Sequence, residues 1–132
     1  PIEGGPLVLN DAYNANPLST AASLRTLAAI SGRRRIALLG DMLELGELEA
    51  SEHAAILSLA RSLSLDLIGL AGPRYTAAWQ AADSPDDVPC APDASALASL
   101  LAGRIQPGDV VLLKGSRGMT MERILDTLNP SR

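Results

Sequence analysis

Phenylalanine is absent from this sequence, and Tyr13, Tyr75 and Trp79 are its only aromatic residues. A surface that stacks nucleobases needs several rings, so a base-stacking platform is not expected. Cysteine is almost absent as well. Cys90 alone cannot form an internal disulfide, and no C-x-x-C or Cys/His cluster offers a zinc ligand set. A lone thiol suits a reducing compartment. Positive charge is in the minority, with 11 Lys and Arg against 15 Asp and Glu and a net charge of -4. That balance argues against a general coat for nucleic acid or another polyanion, although a local basic site can sit on an acidic protein. Long hydrophobic runs are missing too. The longest stretch without a charged residue, Ala12 to Leu24, contains Asn, Ser, Thr and Pro, so no membrane span is expected. The chain opens on Pro1 without a basic-then-apolar leader, and reads as a piece of a longer protein.

What is present fits a folded domain. The 132 residues are 47% hydrophobic and 20% charged, which excludes a disordered tail. A chain of this length buries on the order of two-thirds of its unfolded surface and needs no disulfide or metal to stand. Nine Pro and eleven Gly are scattered without a period, and there is no internal repeat or low-complexity tract.

Short apolar runs alternate with amphipathic stretches, the pattern of a parallel sheet wrapped by helices. The strands are expected at Leu7–Asn10, Ile36–Gly40, Leu67–Ala71, Val88–Ala91 and Val110–Lys114. The runs Ile36-Ala37-Leu38-Leu39 and Val110-Val111-Leu112-Leu113 lack polar alternation, as strands covered on both faces do. Asn16-Pro17 reads as N-cap and first residue of a helix running to about Ile30. Leu48, Glu52, Ala55, Ile56, Leu59 and Leu63 mark the stripe of a second helix, and a third covers about Arg74–Ala82. A fourth starts near Asp93 and carries Leu97, Leu100, Leu101 and Ile105, while Met121, Ile124, Leu125 and Leu128 pattern a last helix. The acidic, Pro-rich stretch Ser84–Pro92 reads as a surface connection. At the front, Ile2-Glu3, Gly4-Gly5 and Leu7–Asn10 are compatible with the stub of a hairpin, giving an antiparallel edge strand. The expectation is one α/β domain, a mostly parallel sheet of five to six strands with helices on both faces.

In open α/β sheets, ligands bind beyond the carboxyl ends of the strands. Three loops there carry unusual polar content. Asn10-Asp11-Ala12-Tyr13-Asn14-Ala15-Asn16-Pro17 leaves the first strand with more polar groups than a helix cap requires. A carboxylate at a strand tip accepts bonds from sugar hydroxyls, and side-chain amides orient a base or a peptide; a plain turn is the alternative. Gly40-Asp41-Met42-Leu43-Glu44-Leu45-Gly46 follows the second strand. Asp41 and Glu44 offer oxygen to a cation, against a structural reading as a solvated turn. Lys114-Gly115-Ser116-Arg117-Gly118 places two cations and a hydroxyl at a helix N-terminus, where free N–H groups and the helix dipole favour an anion. Arg117 suits two-point contact with a carboxylate or phosphate. No G-x-x-x-x-G-K-[ST] occurs, so the chain has no triphosphate cradle of its own. His53, the sole histidine, lies in an expected helix without an evident partner and reads as structural. Cys90 lacks a neighbouring cation that would activate it, and Ser116 is in no G-x-S-x-G elbow.

Taken in order, D-A-Y-N-A-N-P at Asp11–Pro17, G-D-M-L-E-L-G at Gly40–Gly46 and K-G-S-R-G-M at Lys114–Met119, with Met121-Glu122 following, resemble the C-terminal domain of the MurF family. These are the UDP-N-acetylmuramoyl-tripeptide:D-alanyl-D-alanine ligases of peptidoglycan synthesis, within the Mur ligases. The resemblance spans nearly the whole chain. It implies a Rossmann-like three-layer sandwich, at the end of a three-domain cytoplasmic enzyme whose central domain holds ATP and Mg²⁺. ATP would phosphorylate the tripeptide carboxylate and the dipeptide amine would attack the acyl phosphate. This domain would close over the cleft, help hold ATP and present the dipeptide; alone it would be inactive. Carried over by position, Asp11 and Asn14 would meet the nucleotide. Tyr13, Asn14 and Asn16 would line the substrate cleft, and Lys114, Ser116 and Arg117 would meet peptide carboxylates or developing negative charge. No residue here is expected to act by covalent catalysis. The partners implied are UDP-N-acetylmuramoyl-tripeptide, D-alanyl-D-alanine and ATP, with the N-terminal and central domains in cis. The family His matching His53 is typically followed four residues on by Gly, where this chain has Leu57. The competing reading is a stand-alone Rossmann-like nucleotide- or ligand-binding module without catalysis.

Overall fold

The computed structural model describes residues 6–12, 15–82 and 88–125. The elements are β1 (Leu7–Asp11), α1 (Pro17–Ala28), β2 (Arg35–Gly40), α2 (Glu49–Ser62), β3 (Leu67–Ala71), α3 (Pro73–Ala81), β4 (Cys90–Ala91), α4 (Ala94–Leu100) and β5 (Val110–Lys114). The strands form one sheet in the order β1-β5-β2-β3-β4, and every pair runs parallel. Among the described residues β1 lies at an edge and pairs parallel with β5, while Ile2–Gly5, the other arm of the hairpin stub that would give an antiparallel edge, lies outside the described residues. β4 is shorter than the expected Val88–Ala91, because Pro89 has no N–H to give the ladder and contributes only its carbonyl, which accepts from Leu70 N–H.

Period-two alternation along the strands sorts their side chains into two cores. Ala37, Leu39, Ile68, Leu70, Val110 and Leu112 face α1, α2 and α3, which contribute Leu24, Leu27, Ile56, Leu57, Tyr75 and Trp79. Ile36, Leu38, Val111 and Leu113 face the other way onto Leu97, Ala98 and Leu101 of the α4 region and onto Met121 and Ile124. Each large aliphatic side chain so buried contributes roughly 1.5–3 kcal/mol. The result is three layers. Among the described residues no helix is long and apolar enough to cross a membrane.

The first helix starts where the sequence indicates. Asn16 Oδ1 accepts from Ser19 N–H at 2.8 Å and Ser19 Oγ accepts from Asn16 N–H at 3.1 Å, a reciprocal capping box ahead of Pro17. In α2 the buried face is His53, Ile56, Leu57 and Ala60. It is rotated from the expected stripe, and Leu48 is exposed. α4 ends before Ile105, and Leu100 lies outward. After β5 come two 3₁₀ turns, Arg117–Met119 and Met121–Arg123. Helix resumes at 124–125, and Leu128 lies outside the described residues.

The last of the described strands, β5, is inserted inside the sheet between β1 and β2. The chain leaves β1 into α1 on one face, but leaves β5 toward Met121 and Ile124 on the other. Neighbouring strands that send their chains to opposite faces define a topological switch point, and the crevice beyond β1 and β5 is the expected place for a ligand.

Candidate functional site

Asp11 and Lys114 stand side by side at that crevice, as register partners at the ends of β1 and β5. Lys114 Nζ donates to Asp11 Oδ2 at 2.9 Å, and Ser23 Oγ of α1 donates to the same oxygen at 2.7 Å. The Lys114 ammonium, then the Ser23 hydroxyl, hold the Asp11 carboxyl below the usual carboxylate range. Both bonds fall on Oδ2, so Oδ1 of this half-exposed carboxylate has no partner among the described residues. Ser23 was not foreseen. Its signal is a small hydroxyl on the inward stripe Thr20, Leu24 and Leu27 of α1.

The loop after β2 turns out to be a junction between elements. Asp41 is fully buried, and its oxygens cap α3: Oδ2 accepts from Arg74 N–H and Oδ1 from Tyr75 N–H, both at 2.9 Å. This supplies a carboxylate to the positive end of the helix. Gly72, at φ 116°, makes the approach possible, since a Cβ there would collide with the Asp41 carboxylate. Arg74 reaches back to Asp41 Oδ2 at 3.4 Å and to Glu49 Oε1 at 2.6 Å. Both Asp41 oxygens are thus engaged within the protein, and Glu44 stands exposed. Among the described residues, no group of three or more His, Cys, Asp or Glu gathers as metal ligands.

His53 secures the next residue of that loop. Its Nε2 accepts from Met42 N–H at 3.0 Å, which fixes the proton on Nδ1, 2.7 Å from Glu49 O. Its ring meets Tyr75 edge to face, with centroids 4.5 Å apart. Leu43 N–H then donates to Ser116 Oγ at 2.8 Å, and Ser116 N–H donates to Asp41 O at 3.1 Å. The loop after β2 therefore clamps the loop after β5.

These bonds locate the expected ligand-contacting residues. Lys114 is buried against Asp11, and the buried Ser116 hydroxyl also donates to Ala15 O at 3.4 Å. Direct ligand contact was expected of both, yet both side chains are already bonded within the protein. Asn16 is exposed, with its side chain engaged in the helix cap. Tyr13 and Asn14 lie outside the described residues. Arg117 is exposed and lines a hollow of about 230 Å³ with Asn10, Ala12 and Glu122. Successive side chains of β1 alternate, so Asp11 belongs to the α1 face and Asn10 and Ala12 to the opposite one. Asp11 and Lys114 therefore meet on one face and Arg117 opens on the other, at the same end of the sheet.

Comparison with known proteins agrees with this architecture. Residues 2–117 match the family described as Mur ligase, glutamate ligase domain. The chain is 35% identical over 127 residues to the UDP-N-acetylmuramoyl-tripeptide--D-alanyl-D-alanine ligase of Treponema pallidum, covering 94% of this chain and 28% of that protein. It is 31% identical over 130 residues to the ligase of the same name from Bacillus subtilis, covering 96% of this chain and 28% of that protein. A crystal structure of MurF ligase from Thermotoga maritima in complex with ADP superposes with a TM-score of 0.74 at 29% identity, covering 93% of this chain and 28% of that one. MurF from Acinetobacter baumannii gives a TM-score of 0.74 at 26% identity, covering 89% of this chain and 26% of that one. The chain thus spans little more than a quarter of the length of these relatives. A five-stranded parallel α/β sandwich with its polar loops at the switch point, and a family match over most of its length, together mean that this chain belongs to the Mur ligase family, as its glutamate ligase domain.

Proposed function

We propose that this chain is the C-terminal domain of a three-domain, ATP-dependent amide ligase that joins D-alanyl-D-alanine to UDP-N-acetylmuramoyl-tripeptide. The observation that carries the reading is the Asp11–Lys114 pair at the switch point, with Arg117 presented from the next turn. In the reaction, the tripeptide carboxylate takes the γ-phosphoryl group of ATP, giving an acyl phosphate and ADP. The dipeptide amine then attacks the acyl carbon, phosphate leaves, and the amine proton passes to solvent or a base. Amide formation by this route needs water excluded and two peptides aligned, and closing a domain over the cleft serves both.

Within that scheme Asp11 offers Oδ1 to the ribose hydroxyls, with Lys114 and Ser23 fixing the carboxylate from behind. Asn14 joins it at the nucleotide, and Tyr13 and Asn16 shape the substrate side of the same loop. Arg117 takes a peptide carboxylate, and Ser116 and Lys114 support the charge of the site from within. Mg²⁺ accompanies the ATP phosphates, held mainly by the central domain. A cytoplasmic location follows from substrates carried on nucleotides.

The test is a reconstituted assay with the full-length protein, ATP, the UDP-linked tripeptide and D-alanyl-D-alanine. Phosphate release that depends on the dipeptide and yields the UDP-linked pentapeptide is expected. Asp11→Ala should raise the KM for ATP, and Arg117→Ala the KM for the dipeptide. The isolated domain should not ligate. Absence of dipeptide-dependent phosphate release from the full-length protein overturns the reading.

A further inference from the structure

The hollow beside Arg117 contains an opposite charge that no role above uses. Glu122 lines the same space, on the 3₁₀ turn after the one that carries Arg117. Backbone hydrogen bonds run through both turns. Met119 N–H donates to Ser116 O at 2.8 Å, Thr120 N–H to Arg117 O at 3.2 Å, and Arg123 N–H to Thr120 O at 3.0 Å. Thr120 sits between the turns in the left-handed region at φ 48°, so the chain reverses there without extra residues. Met121 is fully buried between Arg117 and Glu122 in sequence, and it seats against Gly40 and Gly115 so closely that a Cβ at either glycine would overlap it. With Ile124 also buried, the backbone of the turn is held against the sheet.

Despite sharing this hollow, Arg117 and Glu122 are not ion-paired with each other or with another described residue. A singly charged ligand would satisfy one and leave the other beside it unmatched. A ligand with both charges matches both. The volume, about 230 Å³, equals that of roughly eight waters at about 30 Å³ each, enough for a dipeptide and too little for a nucleotide. Two residues in extended form separate their charged ends by on the order of 6 Å, a gap that two long side chains on adjacent turns can bracket. Asn10, which also lines the hollow, adds an amide able to serve the peptide bond between those ends.

We propose that this hollow is a zwitterion pocket in which Glu122 holds the ammonium end of the free dipeptide while Arg117 holds its carboxylate. The assignment rests on the ligase reading for the identity of the dipeptide, and adds Glu122 as a specificity residue. Glu122 selects an unblocked amine and keeps it near the end of the sheet until the acyl phosphate forms. The ammonium proton must leave before attack, passing to solvent or a base as in the scheme above.

The experiment is calorimetric titration of the full-length protein, saturated with ADP, using three probes: D-alanyl-D-alanine, its C-terminal amide and its N-acetyl derivative. Wild type should bind the zwitterion at least tenfold more tightly than either blocked form. Glu122→Gln should weaken the dipeptide tenfold or more and abolish its preference over the N-acetyl form. Arg117→Met should abolish its preference over the amide. In the ligation assay Glu122→Gln should raise the KM for the dipeptide and leave the KM for ATP unchanged. Both side chains are exposed, so neither variant is expected to misfold. Wild-type dipeptide affinity in Glu122→Gln, or equal affinity of wild type for all three probes, overturns the pocket. If wild type forms no amide the ligase reading falls, and the calorimetric ranking of the probes still decides whether the hollow takes a zwitterion.

Discussion

Lys114 and Asp11 form an ion pair with one end inside the protein and one end in water. The lysine side chain is 3% exposed and the aspartate 50%. Their separation of 103 residues is closed by the insertion of β5 beside β1. The buried partner cannot be rehydrated without leaving the sheet, whereas the exposed one is free to take a second contact through Oδ1.

That asymmetry makes the pair sensitive to acid. The folded Asp11 carboxyl titrates below its unfolded value, so its stabilisation is complete above about pH 4 and fades as the pH falls through the lower folded value. Asp11→Asn should lower stability at pH 7 by about 1–2 kcal/mol, toward the low end because water at Asp11 screens the pair. Urea midpoints of the two proteins should converge as the pH approaches 3; a constant gap would contradict the assignment.

Asp41 should matter more. Asp41→Ala strips α3 of the carboxylate that accepts from Arg74 N–H and Tyr75 N–H, leaving two inward donors unmatched. The expected loss is about 2–4 kcal/mol. Asp41→Asn keeps the shape and one acceptor, and should fall between. Thermal unfolding of the three proteins gives the ranking directly.

His53 should behave as a fastener. Truncation to Ala removes the acceptor for Met42 N–H and the edge-to-face contact with Tyr75, at a cost of about 2–4 kcal/mol. His53→Gln returns an acceptor oxygen and should recover part of it. Amide exchange at Met42 should quicken in the Ala variant and be partly slowed again in the Gln variant.

Tyr75 points the other way. Its ring is fully buried, and its hydroxyl has no hydrogen-bond partner among the described residues. Burial, and secondarily the nearby Asp41 charge, push its phenol pKa upward, so the hydroxyl stays neutral. Tyr75→Phe removes an unmatched polar atom and should be neutral or raise stability by up to about 1 kcal/mol. A clear loss of stability would reveal a bond at this hydroxyl.

Much of this architecture was legible in the sequence for a simple reason. Strands such as Ile36–Leu39 and Val110–Leu113 are buried on both faces, so their apolar runs are unbroken and hard to misplace. The α2 face was harder to read, because an inward histidine counts as polar until its two ring nitrogens are matched. His53, Ile56, Leu57 and Ala60 form the true stripe only once His53 is admitted. Asp41 left no local mark of its role, since the donors it receives lie 33 and 34 residues further on. The loops at Gly40–Gly46 and Lys114–Gly118 stood out by composition. That the first secures the second depends on Leu43 N–H meeting Ser116 Oγ across 73 residues, a contact only the folded sheet creates.

The placement of β5 also bears on how this domain is made. Among the described residues β1 has one neighbour in the sheet, and that neighbour is β5, the described strand furthest from it along the chain. A nascent chain that has emerged only as far as Asp109 can stack β2, β3 and β4, but Leu7–Asp11 must wait with its ladder groups unmatched. Pairing of β1 with β5 and assembly of the Asp11–Lys114 pair are then one step, limited by closure of a long-range contact.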